Sequence, residues 1–414
     1  MKMEDLALPT IQQVAWQNLE LGFYVHFGMN TFCNQEWGDG TDSPQTFNPS
    51  SLDARQWVKV AKDADFKYFI LTAKHHDGFC LWPTNTTDYS VKNSSWKDGN
   101  GDVVRECAEA CREQGMPFGI YLSPWDRHEP CYKDKDAYDD FYCEQLTELL
   151  TQYGPIVEVW FDGAGSEGRE YDWNRIIGLV KAYQPDAMIF NMGMPTIRWV
   201  GNEEGVAPYP CWNTRQHAKV SMFSNDEVQW LPGTPEWMPA ECDVPIRGDH
   251  WFWRENDEHR LRSLENLVEI YEKSIGRGAN LLLNVAPDNR GLIPEADMVR
   301  VEELSQRIRM NYSNPISRTT GKGNKIHLEL GKSTQVNGVI IKENILLGER
   351  VRKYKVEIER NDAWETIAEG TAIGHKRIQT FKSVCINKMR LVVTETIGVP
   401  EIVEFSVINT ESVK

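Results

Sequence analysis

At 414 residues, of which 41% are hydrophobic and 26% charged, the chain has the length for two or three cores and too much apolar content for disorder. Its 61 acidic and 45 basic side chains leave a formal charge of -16, which would repel polyphosphate and anionic lipid, so neither nucleic acid nor a membrane is expected as a partner. No apolar run nears the ~20 residues of a bilayer span.

Six short, almost wholly apolar runs with polar flanks lie at residues 23–27, 68–72, 118–122, 157–161, 188–192 and 281–285. Such runs describe strands buried on both faces of a parallel sheet. Helical spacing separates them: Ala54, Trp57, Val58, Ala61 and Ala64 share one face, as do Leu264, Leu267, Val268, Tyr271 and Ile275, with Gly276 as a stop. Alternating strand and helix predicts a (β/α) layer fold. The stretch 194–253 is less regular, with room for one or two more strands, and that count favours an irregular, TIM-like (β/α) barrel over an open sheet. No G-x-G-x-x-G or phosphate loop follows the first run, so a nucleotide fold has no support.

Composition changes near residues 311–317, where NYSNPIS holds turn formers and a proline. Fourteen of the 15 tryptophans precede residue 318, and residues 318–414 hold 16 Lys and Arg against 12 Asp and Glu, a net +4 beside -20 upstream. A catalytic domain at 1–312 and a second domain at 313–414 are expected. In the latter, Tyr354, Val356 and Ile358 alternate with Lys355, Glu357 and Glu359, and similar runs occur at 336–342, 389–393 and 402–408. That pattern predicts an antiparallel β-sandwich. The nine cysteines contain no C-x-x-C pair and residues 1–10 hold no apolar core. Buried free thiols and a cytoplasmic location are expected for the chain as given, or a periplasmic or secreted one if a leader was trimmed.

In a (β/α) barrel the chemistry sits at the carboxyl ends of the strands. There the sequence places His26 after the first run, His75-His76-Asp77-Gly78 after the second, Tyr121 and Trp125 at the third, and Trp160-Phe161-Asp162-Gly163 at the fourth. Glu36-Trp37 and Trp251-Phe252-Trp253 fall in connecting loops. Asp162, ahead of Gly163, Ala164 and Gly165, would project a carboxylate into the barrel mouth with space beside it; a helix-capping aspartate is the plainer reading. Adjacent side chains on an extended segment point to opposite sides, so only one of His75 and His76 would face a ligand unless the chain turns there. Aromatic walls, imidazoles and carboxylates without a cationic cradle suit a neutral polyhydroxylated ligand such as a sugar.

Over residues 10–310 the sequence resembles the α-L-fucosidases of glycoside hydrolase family 29, through GFYVHFGMNTF, EWGDG, AKHHDGFCLWPT, GIYLSPWDRH, EVWFDGAG, IRWVGNEEG and LLLNVAPDNRGLIP in the family's order. The resemblance implies an irregular barrel with a C-terminal β-sandwich, retention of anomeric configuration, no metal or organic cofactor, and a fucosylated oligosaccharide or glycoconjugate as partner. It implies that Asp162 is the nucleophile and that His26, Glu36, Trp37, His75, His76 and Tyr121 bind fucose, with Trp160 and Trp253 bordering the sugar. The GNE pattern resembles the subgroup selective for α-1,3/4-linked fucose and implies Glu203 as the acid/base; spacing alone leaves its neighbour Glu204 open. Through GERVRKYKVEIE and AWETIAEG the tail resembles discoidin-like sandwiches, read here as a packing module for the barrel.

Two other readings use the same residues. His26, His75, His76 and Asp162 would be the ligands of a metal-dependent hydrolase, although H-x-H and H-E-x-x-H are lacking and adjacent histidines are awkward joint ligands. An inert carbohydrate-binding protein would keep the aromatic wall, but has no need of both Asp162 and Glu203, the two carboxyls a retaining glycosidase sets ~5–5.5 Å apart.

Overall fold

The apolar runs become strands of one parallel sheet. In the computed structural model, which describes residues 6–215 and 236–411, they are β1 (Leu21–Val25), β2 (Tyr68–Lys74), β3 (Phe118–Leu122), β4 (Glu158–Trp160) and β5 (Met188–Phe190). The irregular stretch supplies β6 (Arg198–Trp199), a ribbon of β7 (Thr214–Arg215) with β8 (Glu236–Trp237), and β9 (Ala240–Pro245), after which β10 (Asn280–Asn284) completes the set. The strand order is β5-β4-β3-β2-β1-β10-β9-β6, with every neighbouring pair parallel. A parallel bridge between Phe190 and Ile197 brings the two edges together, so the barrel is nearly closed.

Helix α1 (Ile11–Gln17) precedes β1, and α2 (Met29–Cys33) with α3 (Ala54–Asp63) crosses to β2. Then α4 (Val103–Gln114), α5 (Lys135–Gln152) and α6 (Trp173–Tyr183) make the crossovers as far as β5, α7 (Leu264–Lys273) joins β9 to β10, and α8 (Glu295–Ile308) follows β10. Among the described residues no helix joins β5 to β6 or β6 to β9. Local chemistry starts the crossovers: Asp53 accepts from the Gln56 N–H at 3.1 Å and Asp102 from the Arg105 N–H at 2.8 Å, each satisfying an orphan donor of the first turn.

Strand alternation then divides the side chains. Phe23, Val25, Phe69, Leu71, Ile120 and Leu122 face the helices in the main core, while Tyr24, Tyr68, Ile70, Tyr121, Trp160, Phe190 and Leu282 fill the barrel interior. Helix α1 closes the amino end: the Trp16 indole donates to Glu158 at 2.8 Å, and Gln13 donates to the Thr196 and Trp237 carbonyls. With that end plugged and the middle filled, the barrel opens at its carboxyl end.

Beyond α8 the chain forms the antiparallel β domain: β11 (Ser317–Lys322), β12 (Lys325–Glu343), β13 (Val351–Arg360), β14 (Ala363–Gly370), β15 (Arg377–Thr396) and β16 (Glu401–Ile408), in the order β11-β16-β12-β15-β13-β14. Register breaks between Glu329 and Thr334 and between Val336 and Gly338 bend the two longest strands. Residues of β12, β13, β15 and β16 close around a core of their own that includes Val339, Val356, Leu391 and Phe405. The domain holds the barrel through Lys376, 2.6 Å from Glu20, and through Glu349, which accepts from the Asn213 backbone and amide at 3.0 and 2.9 Å. No described helix is long and apolar enough to cross a membrane. All nine cysteines are free thiols, and six of them are buried.

Candidate active site

The carboxyl end of the barrel holds a cavity lined by Tyr24, His26, Trp37, His75, His76, Trp160, Asp162, Phe190, Trp199, Glu203, Asp243 and Trp251. His75 and His76 both reach it because the chain turns where β2 ends: the Gly78 N–H closes the turn on the His75 carbonyl at 3.0 Å. Gly78 has φ +88, and a Cβ there would lie 2.5 Å from Asp126, so only glycine fits the turn.

Hydrogen bonds fix which imidazole nitrogen carries the proton. The His26 Nδ1 lies 2.9 Å from Asn284 Oδ1, which also accepts the His26 backbone N–H at 3.1 Å, while Asn284 Nδ2 donates to the Trp251 carbonyl. An acceptor oxygen beside Nδ1 puts the proton there and leaves Nε2 a lone pair. The His76 Nδ1 is 2.7 Å from Ser123 Oγ, whose own hydrogen goes to the Trp125 carbonyl, with the same consequence. His75 differs. Its Nδ1 faces the Asn30 Nδ2 at 3.4 Å and accepts, so its Nε2 is the donor. Burial pushes the pKa of His26 and of His76 down to about 3 and that of His75 well below the usual value, so all three rings are neutral.

Asp162 accepts from the Tyr121 hydroxyl at 3.1 Å and from the Ala164 N–H at 2.9 Å. Burial raises its pKa and these two donors pull it back. The 3.6 Å gap between Asp162 Oδ2 and His76 Nε2 separates two acceptors, which is a place for a hydroxyl rather than an ion pair. The Glu203 pKa is also raised, by partial burial and by the Asp162 charge, against the Trp251 indole N–H, which donates to it at 3.2 Å. On the opposite wall Asp243 accepts the Trp199 indole N–H at 2.7 Å, and burial, with Glu203 beside it, holds its proton well above the usual carboxylate range. The buried Tyr24 hydroxyl at the cavity floor has no hydrogen-bond partner among the described residues. Among the described residues, no three His, Cys, Asp or Glu side chains form a group that could hold a metal ion.

A family model described as alpha-L-fucosidase matches residues 24–312, from within β1 to the turn after α8. The chain belongs to the α-L-fucosidase family. The α-L-fucosidase 1 of Arabidopsis thaliana is 40% identical to it over 94% of this chain and 85% of that protein. A putative α-L-fucosidase from Bacteroides ovatus has a similar structure, with a TM-score of 0.91 at 39% identity over 98% of this chain and 75% of that one. A Ruminococcus gnavus GH29 fucosidase solved in complex with fucose matches with a TM-score of 0.87 at 32% identity, over 97% of this chain and 95% of that one.

For this member of the α-L-fucosidase family, a glycoside hydrolase, seven residues expected at the site meet in one cavity: Asp162, Glu203, His26, His75, His76, Trp37 and Trp160. Three others stand apart. Tyr121 lies beneath, touching the cavity through Asp162. Glu36 is occupied, accepting from the backbone N–H of Trp251 and of Phe252 and pairing with Arg254. Trp253 borders a separate depression with Glu258 and Asp288; Trp251 holds the cavity wall instead. Glu204 is exposed and its backbone N–H donates to Asn202, outside the lining. Sequence reasoning missed Asp243, Trp199 and Tyr24. The signal for Asp243 was present in AECDVP, where acidic residues alternate at 241 and 243 as inward positions of a barrel strand would.

Proposed function

We propose that the chain hydrolyses terminal α-1,3/4-linked L-fucose from fucosylated oligosaccharides or glycoconjugates with retention of configuration, through a catalytic domain at 1–312 and a supporting β domain at 313–414. The observation that carries the reading is Asp162 and Glu203 in one cavity whose imidazoles are neutral. Ionised Asp162 attacks the anomeric carbon, and the bond to the aglycone oxygen breaks as that oxygen takes the Glu203 proton. Water then gives a proton to the Glu203 carboxylate, attacks the same carbon and frees Asp162, so that two inversions make net retention. A raised Glu203 pKa suits a group that must begin as an acid, and the donors on Asp162 support its carboxylate form.

Sugar recognition follows from the tautomers. His26 and His76 accept from two hydroxyls and His75 donates to a third, with one hydroxyl filling the gap between His76 and Asp162. Trp37, Trp160 and Trp251 cover the apolar faces of the ring. The linkage preference rests on the GNE resemblance: a subsite for the branching galactose would turn remote binding into a lower barrier.

A panel of aryl and oligosaccharide fucosides, with the first-formed anomer read by NMR, tests the reading. Lewis-type α-1,3 and α-1,4 substrates should outrun α-1,2 ones and release the α-anomer first. Equal or faster α-1,2 hydrolysis removes the linkage reading, a β-anomer first removes retention, and no hydrolysis leaves the inert binding protein. The metal-dependent reading is disfavoured by the His75 Nε2, which bears a proton and no ligand lone pair. Exhaustive chelation should leave the rate unchanged, whereas loss restored by zinc would reinstate that reading.

A further inference from the structure

We infer that Trp251 is the positioning residue of the acid/base: fixed at its backbone by Glu36 and Asn284, it holds the Glu203 carboxyl at the cavity mouth through its indole N–H. The inference rests on Glu203 being the acid/base and adds how that group is held. Glu203 stands four residues past β6, on a connection without a helix among the described residues. Its turn is anchored at either end, the Val200 N–H donating to the Glu241 carbonyl and the Ala207 N–H to the Lys273 carbonyl, both at 2.9 Å, and is braced within by Asn202, whose amide donates to the Val206 carbonyl at 2.9 Å. Among the described residues its carboxyl makes one hydrogen bond, from Trp251 Nε1 at 3.2 Å.

Trp251, by contrast, is pinned on two sides. Its N–H donates to Glu36 Oε2 at 2.9 Å and its carbonyl accepts from Asn284 Nδ2 at 2.8 Å. Arg254, 3.0 Å from Glu36 Oε1, holds that carboxylate in place. The other end of the Asn284 amide accepts from His26, whose ring lies 5.0 Å from that of Trp251. A sugar-facing imidazole and the acid therefore share one support, and order at the first carries to the second.

The charge environment makes the role measurable. Among the described residues, the charged groups acting on Glu203 are Asp162 and Asp243, both carboxyls; none is a cation. The indole N–H is thus the group that favours the carboxylate form. Trp251→Phe keeps a ring in the wall and removes that donor. A hydrogen bond to a charged group is worth enough to move an ionisation about tenfold, so the basic limb of the kcat/KM profile should move alkaline by about one pH unit.

The experiment measures that profile for wild type, Trp251→Phe and Glu36→Gln on a Lewis-type trisaccharide and on an aryl fucoside with an acidic phenol. The expected result is an alkaline shift in both variants, larger for Trp251→Phe, and a rate loss roughly tenfold greater on the trisaccharide, whose leaving oxygen needs the proton. Equal losses on both substrates with an unmoved limb would mean that Trp251 is wall and nothing more, which overturns the inference; Glu36→Gln answers the same question if Trp251→Phe fails to fold. A wild type inactive on every fucoside would instead overturn the proposed function.

Discussion

Between β1 and β5 every connection of the barrel carries a helix, and this half brings His26, His75, His76 and Asp162 to the mouth at strand ends; from β5 to β9 no described helix intervenes, and Glu203 stands on an exposed connection. Burial acts on the two kinds of group with opposite sign, lowering the pKa of the His26 and His76 imidazoles and raising those of the Asp162, Asp243 and Glu203 carboxyls. Each shift leads toward the uncharged form. On the proposed reading, the half with helices is the template for the sugar, and the half without them carries the group that meets the leaving oxygen.

The largest expected effect lies on the half with helices. Asp162→Gly should lower turnover by roughly 10⁴–10⁶-fold with the fold intact, and azide should restore part of it while yielding the fucosyl azide of inverted configuration. Near-normal activity without azide would dissolve the distinction between the halves. Next, Glu203→Ala should slow natural linkages by roughly 10²–10⁴-fold but an acidic-phenol fucoside far less, whereas Glu204→Ala should keep both rates and the pH profile. The reverse pattern would move the acid one residue along.

Stability should register the opposite signs directly. His26 and His76, held at about 3 when folded against an ordinary 6.5, leave the unfolded chain binding more protons at low pH, so stability falls as pH drops from 6.5 toward 3. Asp77 and Glu349, raised to about 7, and Glu343, raised to about 8, keep protons that the unfolded chain has lost above roughly 4. Their contribution falls as pH rises from there to about 8. The two slopes oppose each other between about 4 and 6.5, so calorimetry should find the highest Tm in that window with losses of a few degrees on either side. A Tm still climbing at pH 8 would contradict the carboxyl shifts. The smallest effect belongs to Asp243→Asn: amide resembles protonated acid and keeps an acceptor for the Trp199 indole, so kcat at pH 6 should change less than about threefold. A much larger loss would mean that Asp243 works as a carboxylate.

The same division explains what was legible. Runs such as 68–72 and 118–122 announce their strands because both faces are apolar, and Asp162 is conspicuous as the first charge beyond one of them. β9 carries Glu241, which accepts from the Tyr68 hydroxyl at 2.6 Å and the Trp160 indole at 2.9 Å inside the barrel, so its buried face reads as polar and the strand escapes an apolar search. β6 has two residues, too few for any period. The turn that sends both His75 and His76 inward depends on Gly78 against Asp126, and Glu36 meets Trp251 across 215 residues. Local spacing holds no record of either contact. In the β domain, alternation marked stretches of the strands, and the bulges that bend β12 and β15 left no mark of their own.

The most direct test of Asp162 as nucleophile and Glu203 as acid/base is peptide mapping after reaction with a 2-deoxy-2-fluoro-fucosyl donor bearing a good leaving group. Fluorine at C2 slows both steps by opposing positive charge at the anomeric carbon, and the leaving group spares the first, so a covalent ester should accumulate. The account predicts a single fluorofucosyl group on the peptide containing Asp162, formed also in Glu203→Ala, because a good leaving group departs without a proton in the first step. A label on another carboxylate, or no label from an enzyme that hydrolyses the parent fucoside, would contradict it.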